Sequence, residues 1–332
     1  MPDDATQPHT TVRAIGGLMN VADLDPRKNV IDPPAAYPAR LGLRYGLSQE
    51  VLGRLERLAK ARFYIRELVD EDISRWSPSD ELYRMIVQSV NASSEIEGEH
   101  LQAEHLQLML AAPSHIGEEH LDHEEKKRLD AYKSISEAFL WALRSDLRTV
   151  LTFDFIIELH KRMFHSTRPD IAGKIKIKDV HIRGAGYDVK TLDKDRAEPF
   201  LRALCDRTSE SFAHAYDHAQ GSMFLFGAEF VCDFLAIHPF ADGNGRTARV
   251  LSTYLMERAG YHFARFYPLE QVLLETKSEY YEALFQAQKR WYQPDEDLTP
   301  WIHYFVFSVF KQWERAHQKV RDQSNREHKR GT

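Results

Sequence analysis

From Ser48 onward, apolar residues recur at spacings of three and four in segment after segment, and this period constrains the fold more than any other feature. Val51, Leu52, Leu55 and Leu58 set the pattern. The spacing predicts a helix from about Ser79 to Glu97, with Gly98 where a helix terminator belongs. Further helices are expected at about 99–111, 118–145, 152–164, 196–210, 219–236, 245–259, 277–291 and 298–320. One segment breaks the rule. Residues 174–178 (Lys-Ile-Lys-Ile-Lys) and 180–182 (Val-His-Ile) alternate apolar and polar, with Gly184 and Gly186 following, which reads as a short β-hairpin between helices. The expected fold is mainly α: a helical bundle with a small β-hairpin flap.

With 332 residues and 43% hydrophobic content, the chain can bury a sizeable core in one large domain or two modest ones. Residues 1–45 are rich in Pro, Asp and Ala without sustained periodicity and read as an arm or leader, while 46–146 form an N-terminal helical region. After Val320 the chain is polar and basic, and a frayed tail is expected. The net charge of -6 argues against a protein-wide grip on nucleic acid and leaves only a local basic patch open. Cys205 and Cys232 both fall in helical stretches, so no disulfide framework is suggested. The first residues lack an apolar signal core, and nowhere do 18 apolar residues run together. A soluble, cytoplasmic protein without a membrane partner is expected. His214 and His218 have the i, i+4 spacing of helical zinc pairs, but no third ligand stands at a telling distance. His115, His120 and His123, in an acidic stretch, read as solvated or capping residues.

The chemistry is concentrated in His238-Pro-Phe-Ala-Asp-Gly-Asn-Gly-Arg-Thr-Ala-Arg249. An apolar helix precedes it and another helix follows, so the string is a loop closing onto a helix N-terminus. Unpaired N–H groups and the positive end of the helix dipole suit phosphate oxygens there. Gly243 and Gly245 let backbone approach an anion closely. Arg246 and Arg249 share one helical face and add positive charge beside that nest. Asp242 is a sensible Mg²⁺ ligand next to a polyphosphate, and His238 can take a proton from a hydroxyl near neutral pH.

The string matches the Fic signature, H-x-F-x-(D/E)-G-N-G-R-x-x-R, at every specified position, and the chain resembles that family from about Leu147 to Thr299. The resemblance implies a catalytic domain over 147–299, followed by a C-terminal helix and tail at 300–332. It implies transfer of AMP from ATP, with Mg²⁺, to a Ser, Thr or Tyr hydroxyl of a protein substrate. His238 would be the base and Asp242 the Mg²⁺ ligand. Gly243, Asn244 and Gly245 would cradle the phosphates, Arg246 and Arg249 would hold the β- and γ-phosphates, and Phe240 would anchor the loop. Two other readings stand beside this one. A phosphotransferase branch carries lysine where this chain has Gly245, and a non-catalytic ATP-binding module would not need His238. Donors other than ATP are not separated by this string.

Leu82, Ile86, Val90, Ser93 and Glu97 recur at helical spacing, which places Glu97 on the stripe expected to be buried. A buried carboxylate needs a cationic partner; the bland alternative is a glutamate ending a surface helix. Ser93 to Gly98 also resembles the family's inhibitory motif, (S/T)-x-x-x-E-(G/N), in the N-terminal position of its class II branch. That resemblance implies that Glu97 pairs with Arg249, that Ser93 supports the glutamate, and that the same glutamate can position water to remove AMP. The segment at 174–184 resembles the family's target-docking flap, with Ile182 on the contact strand. Lys277 to Leu284 resembles a segment lining the adenine side, where Tyr281 suits either ATP contact or core packing. The resemblance also leaves room for a homodimer.

Overall fold

A helix that is apolar over most of its circumference has to be buried over most of it, and the segment SMFLFGAEFVCDFLAI is such a helix, Ser222–Ile237. The rest of the molecule is built around it. The computed structural model describes residues 44–68, 79–102, 105–107, 109, 121–145, 151–184, 187–218, 222–293 and 295–330. In chain order the elements are α1 (Gln49–Leu68), α2 (Ser79–Ile96), α3 (His123–Arg144), α4 (Phe153–Phe164), β1 (His181–Gly184), β2 (Tyr187–Lys190), α5 (Lys194–His218), α6 (Ser222–Ile237), α7 (Asn244–Arg258), α8 (Leu269–Glu275), α9 (Lys277–Gln288) and α10 (Thr299–Arg330). A 3₁₀ turn, His262–Arg265, lies between α7 and α8.

Helices α5, α7, α9 and α10 all pack on α6, and Trp301 of α10 donates its indole N–H to the Ala228 carbonyl of α6 at 2.7 Å. On the far side of α7 lie α2 and α3, with α8 wedged against α2. The buried acid of α6 is Asp233, fully enclosed. It accepts from Arg44 on both oxygens at 2.9 Å, from Arg207 at 2.6 Å and from the Trp291 indole at 2.8 Å. Arg44 also reaches Glu229 and Glu296. Full enclosure of these charges is tolerable because each finds an opposite charge with good geometry.

Several expected boundaries move. The helix expected at 99–111 does not begin at 99: residues 99–102 are non-helical, and only 105–107 and 109 are described as helix. α3 begins at His123, where Asp122 and Glu125 form a capping box. α5 and α10 run longer than their apolar stripes, to His218 and Arg330, so the tail expected to fray is helical as far as Arg330. The short α8 was not anticipated. The hairpin is shifted: β1 and β2 pair antiparallel over 181–190, with Ile182 opposite Val189, and 174–180 lies outside it. The alternation misled because its polarity is inverted at 176 and 177. Lys176 is buried and Ile177 is 82% exposed, and among the described residues the one bridge from that stretch joins Ile175 to Phe240. Residues 1–43 and the side chains of His115, His120, His214 and His218 lie outside the described residues; Arg44, at the end of the expected arm, is buried.

Candidate active site

From Ile237 the chain passes through residues 238–243 into α7, and the loop is pinned from both sides. Phe240 is fully buried and stacks on the His160 ring at 3.7 Å. Its N–H donates to Asn244 Oδ1 at 3.0 Å, and Asn244 Nδ2 donates back to its carbonyl at 2.9 Å. From the opposite side, the Lys176 N–H donates to the Pro239 carbonyl at 2.8 Å. Its ammonium caps α6 through the Ile237 carbonyl at 3.1 Å and also binds Leu192 O and Thr191 Oγ1. Burial lowers the pKa of that ammonium to about 8.

Held this way, His238 adopts φ 51°, a conformation that residues with a Cβ rarely take unless their surroundings impose it. Its Nδ1 lies 3.3 Å from the Leu235 carbonyl, so that nitrogen carries the proton and Nε2 presents a lone pair. Burial first, and the Lys176 ammonium second, lower the imidazole pKa to about 4, against the opposing pull of Leu235 O, Glu97 and Asp242. At neutral pH the ring is an uncharged acceptor.

Gly243 opens α7 with φ 80°, and a Cβ there would run into the Phe164 ring. Only glycine meets both conditions. Nearly all of α7 is buried, including Arg246 and Arg249. Arg249 Nε donates to Ser93 Oγ at 2.7 Å, and its NH2 donates to Ser93 O at 3.1 Å and to Glu97 Oε1 at 2.5 Å. Arg246 NH1 donates to Glu99 Oε2 at 3.0 Å, and its guanidinium lies over the Phe164 ring.

Glu97 differs from its expected setting. α2 ends at Ile96, so Glu97 sits in the turn beyond it with 34% of its side chain exposed, and it reaches Arg249 from there. A Cβ on Gly245 would meet its carboxylate. Burial pushes the Glu97 carboxyl up, but the charge and hydrogen bond of Arg249, with Arg246 and His238 beyond, outweigh this and hold it below the ordinary range. Ser93 binds the arginine directly and not the glutamate. Tyr281 donates to the Ile96 carbonyl at 3.3 Å and Lys277 to Glu95 O at 3.4 Å, so α9 caps the C-terminus of α2. Ile182 is partly buried on β1, and β1 pairs with β2 alone among the described residues.

Asp242 points one oxygen at its own Gly243 N–H and the other at Arg168, 3.3 Å away. Among the described residues no three His, Cys, Asp or Glu side chains gather into a metal site. A single half-exposed carboxylate suits a Mg²⁺ ion that arrives on a nucleotide and keeps phosphate and water ligands. The sequence reading missed His160 and Glu99. His160 lies on the apolar stripe of α4, four residues after Ile156 and four before Phe164; a polar residue there is a readable signal.

Residues 150–256 match the Fic/DOC family. The chain carries a Fic domain. It is similar to protein adenylyltransferase fic-1 of Caenorhabditis briggsae, 29% identical over 154 residues, or 46% of this chain and 26% of that protein. It is also similar to protein adenylyltransferase Fic of Nematostella vectensis, 28% identical over 193 residues, or 57% of this chain and 38% of that protein. The chain thus spans between a quarter and two-fifths of the length of these curated relatives. A crystal structure of a Fic family protein from Desulfovibrio desulfuricans shares the fold, with TM-score 0.63 at 17% identity, covering 86% of this chain and 78% of that one. The Fic match takes in His238 through Arg249, while Ser93 to Glu99 lie N-terminal to it. Among the described residues no helix is long and apolar enough to cross a membrane.

Proposed function

We propose that this chain is a protein adenylyltransferase that moves AMP from ATP to a Ser, Thr or Tyr hydroxyl, with Glu97 as a built-in brake. The observation that carries the reading is one juxtaposition: an uncharged His238 on the loop that opens α7, and two buried guanidinium groups on the first turns of the same helix. The N–H groups at Gly243, Asn244 and Gly245 receive phosphate oxygens, and Arg246 and Arg249 hold the distal phosphates. Asp242 would hold the Mg²⁺ that accompanies the nucleotide, and the ion would supply neutralisation of phosphate charge. His238 Nε2 takes the proton of the attacking hydroxyl. A bond forms from that oxygen to the α-phosphorus, and the bond to the β-phosphate oxygen breaks with its electron pair leaving on pyrophosphate. Positioning and electrostatic stabilisation account for the acceleration. β1, with Ile182, offers an edge for an extended target segment, and the protein works as a monomer or homodimer in the cytoplasm.

Arg249 cannot serve a γ-phosphate while Glu97 and Ser93 occupy it. Glu97 stands against Gly245 at the start of α7, the helix that the His238 loop opens, and this supports a second role in orienting water for AMP removal. Glycine at 245 favours nucleotidyl over phosphoryl transfer. The test uses ATP labelled at the α or the γ position. Glu97→Gly is expected to raise self-labelling from the α label, and His238→Ala in that background to abolish it. Transfer of the γ label would make the chain a kinase, and no transfer of either label to any protein would leave it a binding module.

A further inference from the structure

The brake has a second carboxylate. Gly98 takes φ 84°, its N–H bonds to Glu95 O at 3.1 Å, and the Glu99 N–H bonds to Ser94 O at 2.9 Å. These two bonds are the Schellman closure of α2, so the backbone of both residues flanking Gly98 is set by the helix cap. Glu97 and Glu99 stand on either side of that turn, and Arg246 and Arg249 stand one helical turn apart on α7. Each arginine meets one of the two carboxylates, Glu97 on Arg249 and Glu99 on Arg246 at 3.0 Å, with Asp242 a second and looser neighbour of Arg246 at 3.6 Å. From this geometry we infer that Glu99 is a nucleotide-positioning residue, which withholds Arg246 from the distal phosphates as Glu97 withholds Arg249. The inference rests on the nucleotide-transfer reading of the site.

The two contacts differ in strength. The Arg246 side chain is 9% exposed, but that of Glu99 is 51% exposed. A half-solvated carboxylate loses little on leaving its partner. It also has somewhere to go. Glu99 lines a cavity of about 520 Å³ that opens between the end of α2 and α3, and the cations Lys127, Arg128 and Arg168 share its wall with Arg246 and with the carboxylates of Glu124 and Asp242. When a phosphate takes Arg246, the displaced carboxylate turns into this space, towards cations on α3. Glu97→Gly alone therefore leaves one of the two guanidinium groups neutralised.

The experiment uses the full chain with Glu97→Gly as parent, and adds Glu99→Gln or Glu99→Asp. Self-labelling is followed against ATP concentration, and equilibrium binding of ATP with Mg²⁺ is measured on the same proteins. Glu99→Gln is expected to lower KM and Kd for ATP by about threefold with kcat unchanged, as loss of a partly exposed ion pair implies. Glu99→Asp keeps the charge and stays near the parent, and the Gln effect shrinks in high salt. An unchanged Kd with Glu99→Gln, or a fall in kcat alone, overturns the inference. If the parent binds ATP but transfers no label, the adenylyltransferase reading fails, and the binding comparison still decides the role of Glu99.

Discussion

Acid is expected to weaken this protein through a buried histidine that packs under the loop at 238–243. His160 is fully buried; its Nδ1 accepts the Gly173 N–H at 3.0 Å, and Nε2 stands 3.0 Å from the Asp242 carbonyl. The second contact requires a proton on Nε2, so a further proton on Nδ1 would set two N–H groups head to head. Burial lowers the pKa of the ring to about 4, with Arg246 adding to the effect and the Asp242 carbonyl and carboxylate opposing it. An unfolded histidine takes up its proton near 6.5; the native ring refuses it until about 4. Stability from this residue is therefore complete well above pH 6.5 and is lost as pH falls through the window from 6.5 to 4, by roughly 2–3 kcal/mol at pH 4.5. Denaturant unfolding between pH 7 and 4.5 is expected to show that loss in the parent and a flatter curve in His160→Gln, which keeps a donor for Asp242 but does not titrate. NMR of isotope-labelled imidazoles gives the direct readout. A His160 midpoint near 6.5, or parallel stability curves, refutes the reasoning.

Two further predictions follow from buried ionisable groups beside the site. Lys176→Met removes the ammonium that lowers the His238 pKa, so the acid limb of the labelling rate moves to higher pH; it also costs about 1–3 kcal/mol in denaturant unfolding, because the Ile237, Leu192 and Thr191 oxygens lose their donor. An acid limb that stays in place would separate Lys176 from the base. Glu270 is buried, and burial raises its pKa more than Ser89 and the Arg249 charge lower it. The native state keeps that proton after the unfolded chain has lost it, so stability declines as pH rises above the ordinary carboxyl range. Glu270→Gln should remove this slope, and its stability relative to the parent, compared at pH 5 and pH 8, should improve at the higher value; an unchanged difference means that Glu270 is ionised in the fold.

The loop from His238 to Arg249 was legible because each of its residue types answers a separate demand: glycine at a left-handed helix start, asparagine folding back on Phe240, arginines facing an anion. The core helices were legible for the same reason, since period alone fixes which face of α4 or α6 turns inward. Reading failed where a long side chain can bury its stem and satisfy its head. Lys176 looks like the solvent side of a strand, yet three oxygens receive its ammonium inside the protein, and Ile177 takes the exposed place. It failed again at Glu97, which helical phase put on a buried stripe. The helix stops one residue earlier, and the contact with Arg249 is made across a turn that period cannot describe. Glu99 escaped notice because nothing in a one-residue extension of the motif announces where a capped turn will aim it.

The charge cluster around Asp233 has a practical bearing on how this protein can be shortened. A truncation beginning after residue 45 would also remove Arg44, which donates two hydrogen bonds to Asp233. Asp233 lies five residues before His238. Trimming at residue 43 keeps that stretch of helix neutralised, whereas a cut two residues later leaves an under-compensated anion directly upstream of the reacting imidazole.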